Sequence, residues 1–261
     1  MEISNALQAS VDKLIDQNSK DAKKLIQTVK KTTDEFKLFD LLPKFDEYLN
    51  CTDVNEIKNF YNEFFLSYIN LCEEKSNGQP FLGISQNSNG DELIGFCIVM
   101  CDEIVNEKLI KLGGTPTVLS CDSSNSEGVT PLMFAFMKQK LHVAELMLDE
   151  KNRIPASVTS RDFSGNSPLY YAVLSNDLET IKFAETKIRE WDEISLVYLN
   201  DADESPLDLA IKSDNKAIYE HLKNAYNDVI KKYIKKNEAN KNEFIKKRIE
   251  GFNKIKNKHN L

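Results

Sequence analysis

The chain has 261 residues, of which 41% are hydrophobic and 29% charged, and a formal net charge of −7. This composition is globular, and the longest apolar run, residues 93–101, is far shorter than the ~20 residues that span a bilayer, so we expect a soluble protein. The start of the chain lacks the basic and apolar regions of a secretory signal. The five cysteines are odd in number and scattered, which favours reduced thiols in a cytoplasmic protein.

Residues 1–75 are predicted to be helical, because they contain no glycine, one proline and apolar residues at helical spacing. One stripe covers residues 7–29, and a second helix follows over residues 33–42. A third begins at Asp53, where Glu56 completes a capping box. Its apolar residues are Ile57, Phe60, Tyr61, Phe64, Tyr68 and Leu71. We interpret residues 1–75 either as a small N-terminal helical domain or as a helical cap on the segment that follows.

Residues 76–89 form a predicted linker, because they contain the turn-forming pairs Asn-Gly and Gln-Pro. After it, the apolar segment that starts at Leu93 predicts one helix, and Leu109–Gly114 predicts the end of a second helix closed by glycine. Cys97 and Cys101 lie one helical turn apart. We interpret them as buried thiols, because no further Cys or His lies near them in sequence to complete a tetrahedral metal site.

One phrase occurs three times in the next part of the chain. It reads Gly-Val-Thr-Pro-Leu-Met-Phe-Ala at 128–135, Gly-Asn-Ser-Pro-Leu-Tyr-Tyr-Ala at 165–172 and Asp-Glu-Ser-Pro-Leu-Asp-Leu-Ala at 203–210. The prolines are 37 and 38 residues apart, a period typical of stacked supersecondary units. The Thr or Ser suits a helix N-cap and proline suits the first helical position. The alanine is small enough for neighbouring helices to approach closely.

The phrase resembles the T-P-L-H-x-A opening of an ankyrin repeat, which is followed by two antiparallel helices. Residues 141–148 and 176–183 resemble the outer helix of that repeat, and residues 214–222 are a looser copy. The resemblance implies an all-α, ankyrin-like helical solenoid of about four repeats. Their boundaries are about 90–127, 128–164, 165–202 and 203–224.

Two departures from the family pattern affect this interpretation. The first repeat is degenerate, because Glu92 and Leu93 stand where Thr-Pro is expected, and an unrelated buried helix is the alternative. The histidine of T-P-L-H is replaced by Met133, Tyr170 and Asp208. The hydrogen bonds that this histidine makes between loops therefore cannot be assumed.

Ankyrin-type repeats usually bind proteins through their hairpin tips and the exposed positions of their inner helices. The resemblance therefore implies a non-enzymatic protein–protein interaction module, an adaptor or scaffold, with a protein as partner. Carried over by position, the partner-binding residues are Ser126, Glu127, Val129, Met137, Lys138, Phe163, Ser164, Asn166, Leu174, Ser175, Asp201, Ala202, Glu204, Lys212 and Ser213. Phe163, Met137 and Leu174 stand out as apolar residues at expected exposed positions. Packing against the N-terminal region is the alternative for these three.

The period is four or five residues longer than that of the family, and we expect the extra residues in hairpin loops such as 152–160 and 191–197. Trp191, the only tryptophan, begins the second of these loops. It is either an interface anchor or packed under its own loop, which is the commoner arrangement for a lone tryptophan.

The C-terminal part of the chain has the opposite charge from the rest. Residues 223–261 carry 12 Lys/Arg and four Asp/Glu, a balance of +8, whereas the remaining residues have a balance of −15. Apolar residues over 226–234 are predicted to prolong the last outer helix, and Ile245, Ile249 and Phe252 form a further stripe. Residues 225–261 are thus a predicted basic helical C-terminal extension.

We favour an extension that caps the solenoid and contacts its acidic body. A membrane-associated adaptor that uses residues 225–261 is the alternative function. Nucleic acid is not expected as a partner, because the extension has little aromatic interleaving and the body is acidic.

Catalysis is not expected, because the chain has three histidines and no phosphate-cradling glycine loop, nucleophile elbow or zinc motif. We expect no catalytic residue, cofactor or metal, and a monomer. An enzyme with an unrecognised N-terminal active site is the remaining alternative. The diverged repeats are similar in style to ankyrin-repeat effectors that intracellular bacteria secrete into host cells, which would imply a host protein as partner.

Overall fold

The computed structural model describes residues 55, 57–59, 61–63, 65–66, 69, 93–113, 124–149, 156–237 and 242–261. Outside them lie the helices predicted over 7–29 and 33–42, the predicted linker 76–89, and Cys51, Cys72 and Cys121. All regular secondary structure of the described residues is helical, as the sequence predicts. None of the helices in this part of the chain is long and apolar enough to cross a bilayer.

The described helices alternate between short and longer elements along the repeats. In chain order they are α1 (Leu93–Met100), α2 (Glu103–Gly113), α3 (Pro131–Met137), α4 (Leu141–Leu148), α5 (Pro168–Leu174), α6 (Leu178–Asp192), a 3₁₀ helix (Glu193–Val197), α7 (Pro206–Lys212), α8 (Lys216–Asn237) and α9 (Glu243–His259). The chain forms two compact units. The first comprises Met1–Ala135 with His142–Ala156, and the second comprises Phe136–Leu141 with Ser157–Leu261.

In the first unit, α1 packs against α2 as the predicted helix pair, and Cys97 and Cys101 are both buried there. The described residues between 55 and 69 are helical and pack on α1, because the rings of Tyr61 and Phe65 lie 5.3 and 5.9 Å from that of Phe96. The predicted stripe included Tyr61 but omitted Phe65 and Ile69, which are buried at the same four-residue interval. The described part of the third predicted helix is therefore held to α1 by aromatic contacts.

A polar clamp holds the same helical residues to the junction between α1 and α2. The Nδ2 group of Asn62 donates to the Asp102 carboxylate at 2.6 Å, and the backbone N–H of Asp102 donates back to the Asn62 carboxamide at 2.7 Å. The Asn62 side chain thereby links its helical segment to the α1–α2 junction through two hydrogen bonds.

In the second unit, α5 packs on α6, α7 packs on α8, and the two short helices α5 and α7 pack on each other. Ser167 and Ser205 are the N-caps of α5 and α7, each followed by proline, as predicted. Ala172 and Ala210 are completely buried. The absence of a larger side chain at these positions lets the short helices approach closely.

Residues 191–197 do not form the expected hairpin loop. Trp191 and Asp192 complete the last turn of α6, and Asp192 then caps the 3₁₀ helix by accepting from the backbone N–H of Ile194 and from the Ser195 hydroxyl. The longer helix carries Trp191 onto a solvent-facing position, where its side chain is 70% exposed. The expectation that Trp191 packs under its own loop is therefore wrong.

The C-terminal part of the chain folds back on the second unit. Helix α8 continues without interruption through residues 226–234, as predicted, and α9 packs against it. Phe252 and Ile255 of α9 are buried, and the Phe252 ring meets the edge of Tyr233 at 5.1 Å.

Candidate functional site

Three hairpin loops of the repeats are each built around one Asn or Asp side chain, at positions 125, 162 and 200. In each loop one side-chain oxygen accepts the backbone N–H groups of the residues two and four positions later, at 2.8–3.0 Å. The backbone N–H of the same residue donates to the carbonyl four positions later, at 2.8–3.1 Å. These bonds fix the loop conformation without help from the rest of the fold.

These three residues were not predicted from the sequence, although they recur at a regular spacing. Asn125, Asp162 and Asn200 are 37 and 38 residues apart, which is the period of the prolines. Each lies three residues before the first residue of the repeated phrase. The hydrogen bonds show that these regularly spaced residues close the loops before each phrase.

Asp162 organises its loop more tightly than the other two do. Its second carboxylate oxygen accepts the Asn166 carboxamide at 2.9 Å and the buried hydroxyl of Tyr171 at 2.7 Å. One carboxylate therefore accepts four hydrogen bonds, and charged acceptors form the stronger ones. The adjacent side chain, Phe163, is 73% exposed at the tip of this fixed loop.

Neighbouring loops of the second unit are joined directly. The Asn200 carboxamide donates to that of Asn166 at 2.9 Å, and the backbone N–H of Asp201 donates to the carbonyl of Ser164 at 3.0 Å. Gly165 makes this approach possible: it has a φ of +78°, and a Cβ atom there would lie 2.7 Å from the Asp201 carboxylate. The loops at Asp162 and Asn200 thus contact each other, one period apart.

In two repeats, the residue that replaces the histidine of T-P-L-H accepts hydrogen bonds at the N-terminus of the inner helix. The Met133 sulfur accepts the Thr130 backbone N–H at 3.4 Å. Asp208 forms a capping box, in which one carboxylate oxygen accepts the backbone N–H of Ser205 at 2.8 Å and its hydroxyl at 2.7 Å. The inter-loop bonds of the family's histidine are replaced here by those of Asn166 and Asn200.

The C-terminal ends of the inner helices lie in a row in the second unit. The Gln139 side chain donates to the Ser175 carbonyl at 3.0 Å, and the Asn215 carboxamide donates to that of Asn176 at 3.0 Å. These links connect successive turns between inner and outer helices. They leave Leu174 46% exposed beside them.

Comparison with known protein families identifies the repeats. A family model described as ankyrin repeats (3 copies) matches residues 99–188. Residues 99–188 thus contain ankyrin repeats. No curated protein sequence matches the chain.

Ankyrin repeats mediate protein–protein interactions, which indicates an interaction module with a protein partner. Most residues predicted to bind that partner lie on the surface. Exposed are Ser126, Glu127, Lys138, Phe163, Ser164, Leu174, Asp201, Ala202 and Lys212, and half-buried are Met137, Asn166, Ser175, Glu204 and Ser213. Their role in binding stays a prediction.

Val129 is the exception among the predicted contact residues, because it is buried and 5% exposed. Its backbone N–H donates to the Asn125 side chain and its carbonyl accepts the Asn125 N–H, so the loop closes on itself at this residue. Val129 therefore does not lie at the exposed position that was expected of it, and a role in binding stays a prediction.

A concave region with a volume of about 400 Å³ lies between α6 and α8. Three of its ionisable residues, Glu185, Arg189 and His221, interact with one another. Glu185 accepts from Arg189 at 2.7 Å and lies 2.6 Å from the His221 imidazole. Among the described residues, no group of three or more His, Cys, Asp and Glu side chains is placed to hold a metal ion.

Proposed function

We propose that this protein recognises a partner protein through one surface of its second unit, which we call the hairpin surface. The surface consists of the loop tips and inner-helix ends at Met137, Lys138, Phe163, Ser164, Asn166, Leu174, Ser175, Asp201, Ala202, Glu204, Lys212 and Ser213. The protein then acts as an adaptor or scaffold that performs no chemistry of its own.

The proposal rests chiefly on Phe163. An apolar ring that is 73% exposed contributes nothing to the core, yet its loop is held by the four hydrogen bonds that Asp162 accepts. Such an anchor is ordered before binding, so little conformational entropy is lost when a partner covers it. Burial of a phenylalanine side chain contributes about 2 kcal/mol, which corresponds to about 30-fold in Kd.

Polar groups on the same hairpin surface provide specificity. Lys212 pairs with Glu204, which raises the pKa of the Lys212 ammonium, and Asp201 and Ser164 are exposed at the adjacent tips. This arrangement of an apolar anchor with a charged rim is typical of protein interfaces.

A photo-crosslinking amino acid at position 163 tests the proposal in the full chain. We expect it to capture one partner protein, while the same amino acid at Trp191 captures none. Trp191 is the matched control, because it is equally exposed but lies at the end of an outer helix. A partner captured at 191 and not at 163 would move the interface to the outer helices.

Purified partner then allows a quantitative test. Phe163→Asp should raise Kd at least 30-fold, and Leu174→Asp should also weaken binding, whereas Trp191→Asp should leave Kd within twofold. Because Phe163 is exposed, its substitution should change the free energy of unfolding by less than about 0.5 kcal/mol. An unchanged Kd for Phe163→Asp would reject the hairpin surface.

Protein recognition is favoured over the membrane-adaptor alternative by the packing of α9. Its apolar residues Phe252 and Ile255 are buried against the protein and are not available to lipid in this arrangement. Secretion into a host cell, a cytoplasmic location and a monomeric state stay predictions that rest on the sequence alone.

A further inference from the structure

Helix α9 closes on the last repeat of the second unit with contacts at both of its ends. Near its start, the Arg248 guanidinium lies 5.1 Å from the centre of the Tyr198 ring and donates to the Tyr198 hydroxyl. In its second half, Phe252 and Ile255 are buried. A 17-residue helix is only marginally stable alone in water, so these contacts keep it folded.

The last turn of α9 carries a buried histidine. The His259 side chain is 2% exposed, and its Nε2 atom lies 3.2 Å from one oxygen of Asp208. The Lys258 ammonium lies 2.6 Å from that same oxygen. The other oxygen of Asp208 caps α7 through Ser205, so a single carboxylate holds together the start of the last inner helix and the end of α9.

Three charged groups face the imidazole. Asp208 on α7 favours its protonated form, whereas Lys258 on α9 and Lys223 on α8 oppose it. Burial opposes protonation as well, because a charged ring loses its hydration. One carboxylate therefore favours protonation of His259, whereas two ammonium groups and desolvation oppose it.

We propose that α9 is a pH-responsive cap of the last repeat, whose docking weakens when His259 is protonated under mildly acidic conditions. The cap lies outside the hairpin surface, so this device is separate from partner recognition.

The sign of the effect follows from the two states of the helix. Burial is the largest influence and holds the pKa of docked His259 below its ordinary value of 6.5. In the undocked helix the ring is hydrated and binds a proton more readily. Docking is thus at full strength above about pH 6.5 and weakens as the pH falls from 6.5 towards the lower docked pKa. At pH 5.5 the docking constant falls by up to about tenfold.

Hydrogen exchange of the full chain, followed by mass spectrometry at pH 7.5, 6.5 and 5.5, measures the docking. With exchange times scaled to the intrinsic rates, protection of residues 243–259 should fall up to tenfold between pH 7.5 and 5.5. Protection of α6, which carries none of the three charged groups that face His259, should stay constant. An α9 protection that is constant with pH, or that rises at pH 5.5, would overturn the proposal.

Three variants identify the titrating group. His259→Gln should remove the pH response, and His142→Gln, at an exposed histidine of the first unit, should retain it. Lys223→Gln removes one charge that opposes protonation of His259 and leaves the sequence of α9 unchanged. In this variant α9 should therefore lose less protection at pH 5.5 than it does in the wild type. If His259→Gln proves undocked at all pH values, the Lys223→Gln result decides: a response equal to that of the wild type rejects the proposal.

Discussion

The carboxylate of Asp162 is the most consequential single group in the hairpin loops, and Asp162→Ala tests this directly. The substitution removes four hydrogen bonds, one of which comes from the buried Tyr171 hydroxyl. A buried polar group that loses its partner costs about 1–3 kcal/mol, and each partly exposed bond adds about 0.5–1 kcal/mol because water replaces it in part. We expect a total loss of about 3–4 kcal/mol in the free energy of unfolding.

Asp162→Asn should be much milder, at about 1 kcal/mol. Its remaining oxygen accepts the two backbone N–H groups, as Asn125 and Asn200 already do in the sister loops, and only the bonds from Asn166 and Tyr171 are disturbed. The difference in the free energy of unfolding between the two variants thus measures the contribution of the loop-closing bonds. The loss in Asp162→Asn alone measures the contribution of the bonds to the second oxygen.

Urea unfolding followed by the fluorescence of Trp191 reports on the unit that contains the loop. Asp228→Ala is a matched control, because that carboxylate is 81% exposed and its one ion pair is at 4.0 Å; it should cost less than about 0.5 kcal/mol. If Asp162→Ala costs less than 1 kcal/mol, or if the Asn and Ala variants are equal, the view that this carboxylate organises the loop is refuted.

Further substitutions test the loop contact, the helix cap and the charge of Asp208. Gly165→Ala places a Cβ against the Asp201 carboxylate at a residue with positive φ. It should lower the free energy of unfolding in urea by about 2 kcal/mol. Ser205→Ala should cost about 1–2 kcal/mol in the same assay, because the buried capping box of α7 is lost. Burial pushes the pKa of Asp208 upward, but hydrogen bonds from Lys258 and Ser205 hold it below its ordinary value. Stability from this group is therefore complete above about pH 4 and is lost as the pH falls further, so Asp208→Asn should flatten the acid limb of a thermal-melting profile below pH 4. An acid limb as steep as that of the wild type would contradict this assignment.

The helical repeats could be predicted because their signals are local. A Ser-Pro pair fixes both the capping side chain and the backbone angle of the first helical residue, so Ser167 and Ser205 mark helix starts whatever surrounds them. The buried alanines followed from the same register.

The errors arise at positions that the repeated phrase does not specify. The pattern assigned Val129 to a surface tip, but the backbone bonds to Asn125 turn its side chain inward. Trp191 was expected in a loop, and the extra residues instead lengthened α6 and added a 3₁₀ helix. The role of Asp208 as anchor for His259 joins residues 51 positions apart, and no local pattern encodes such a pair.

The bonds between neighbouring loops have a consequence for how the array can change in length. The links from Asn200 to Asn166 and from Asp201 to Ser164 span about one period, and both partners of the first link lie within residues 165–202. A tandem duplication of residues 165–202 would therefore present each new loop with the partner it already uses. Such a duplication would add one row of loops to the hairpin surface in a single step.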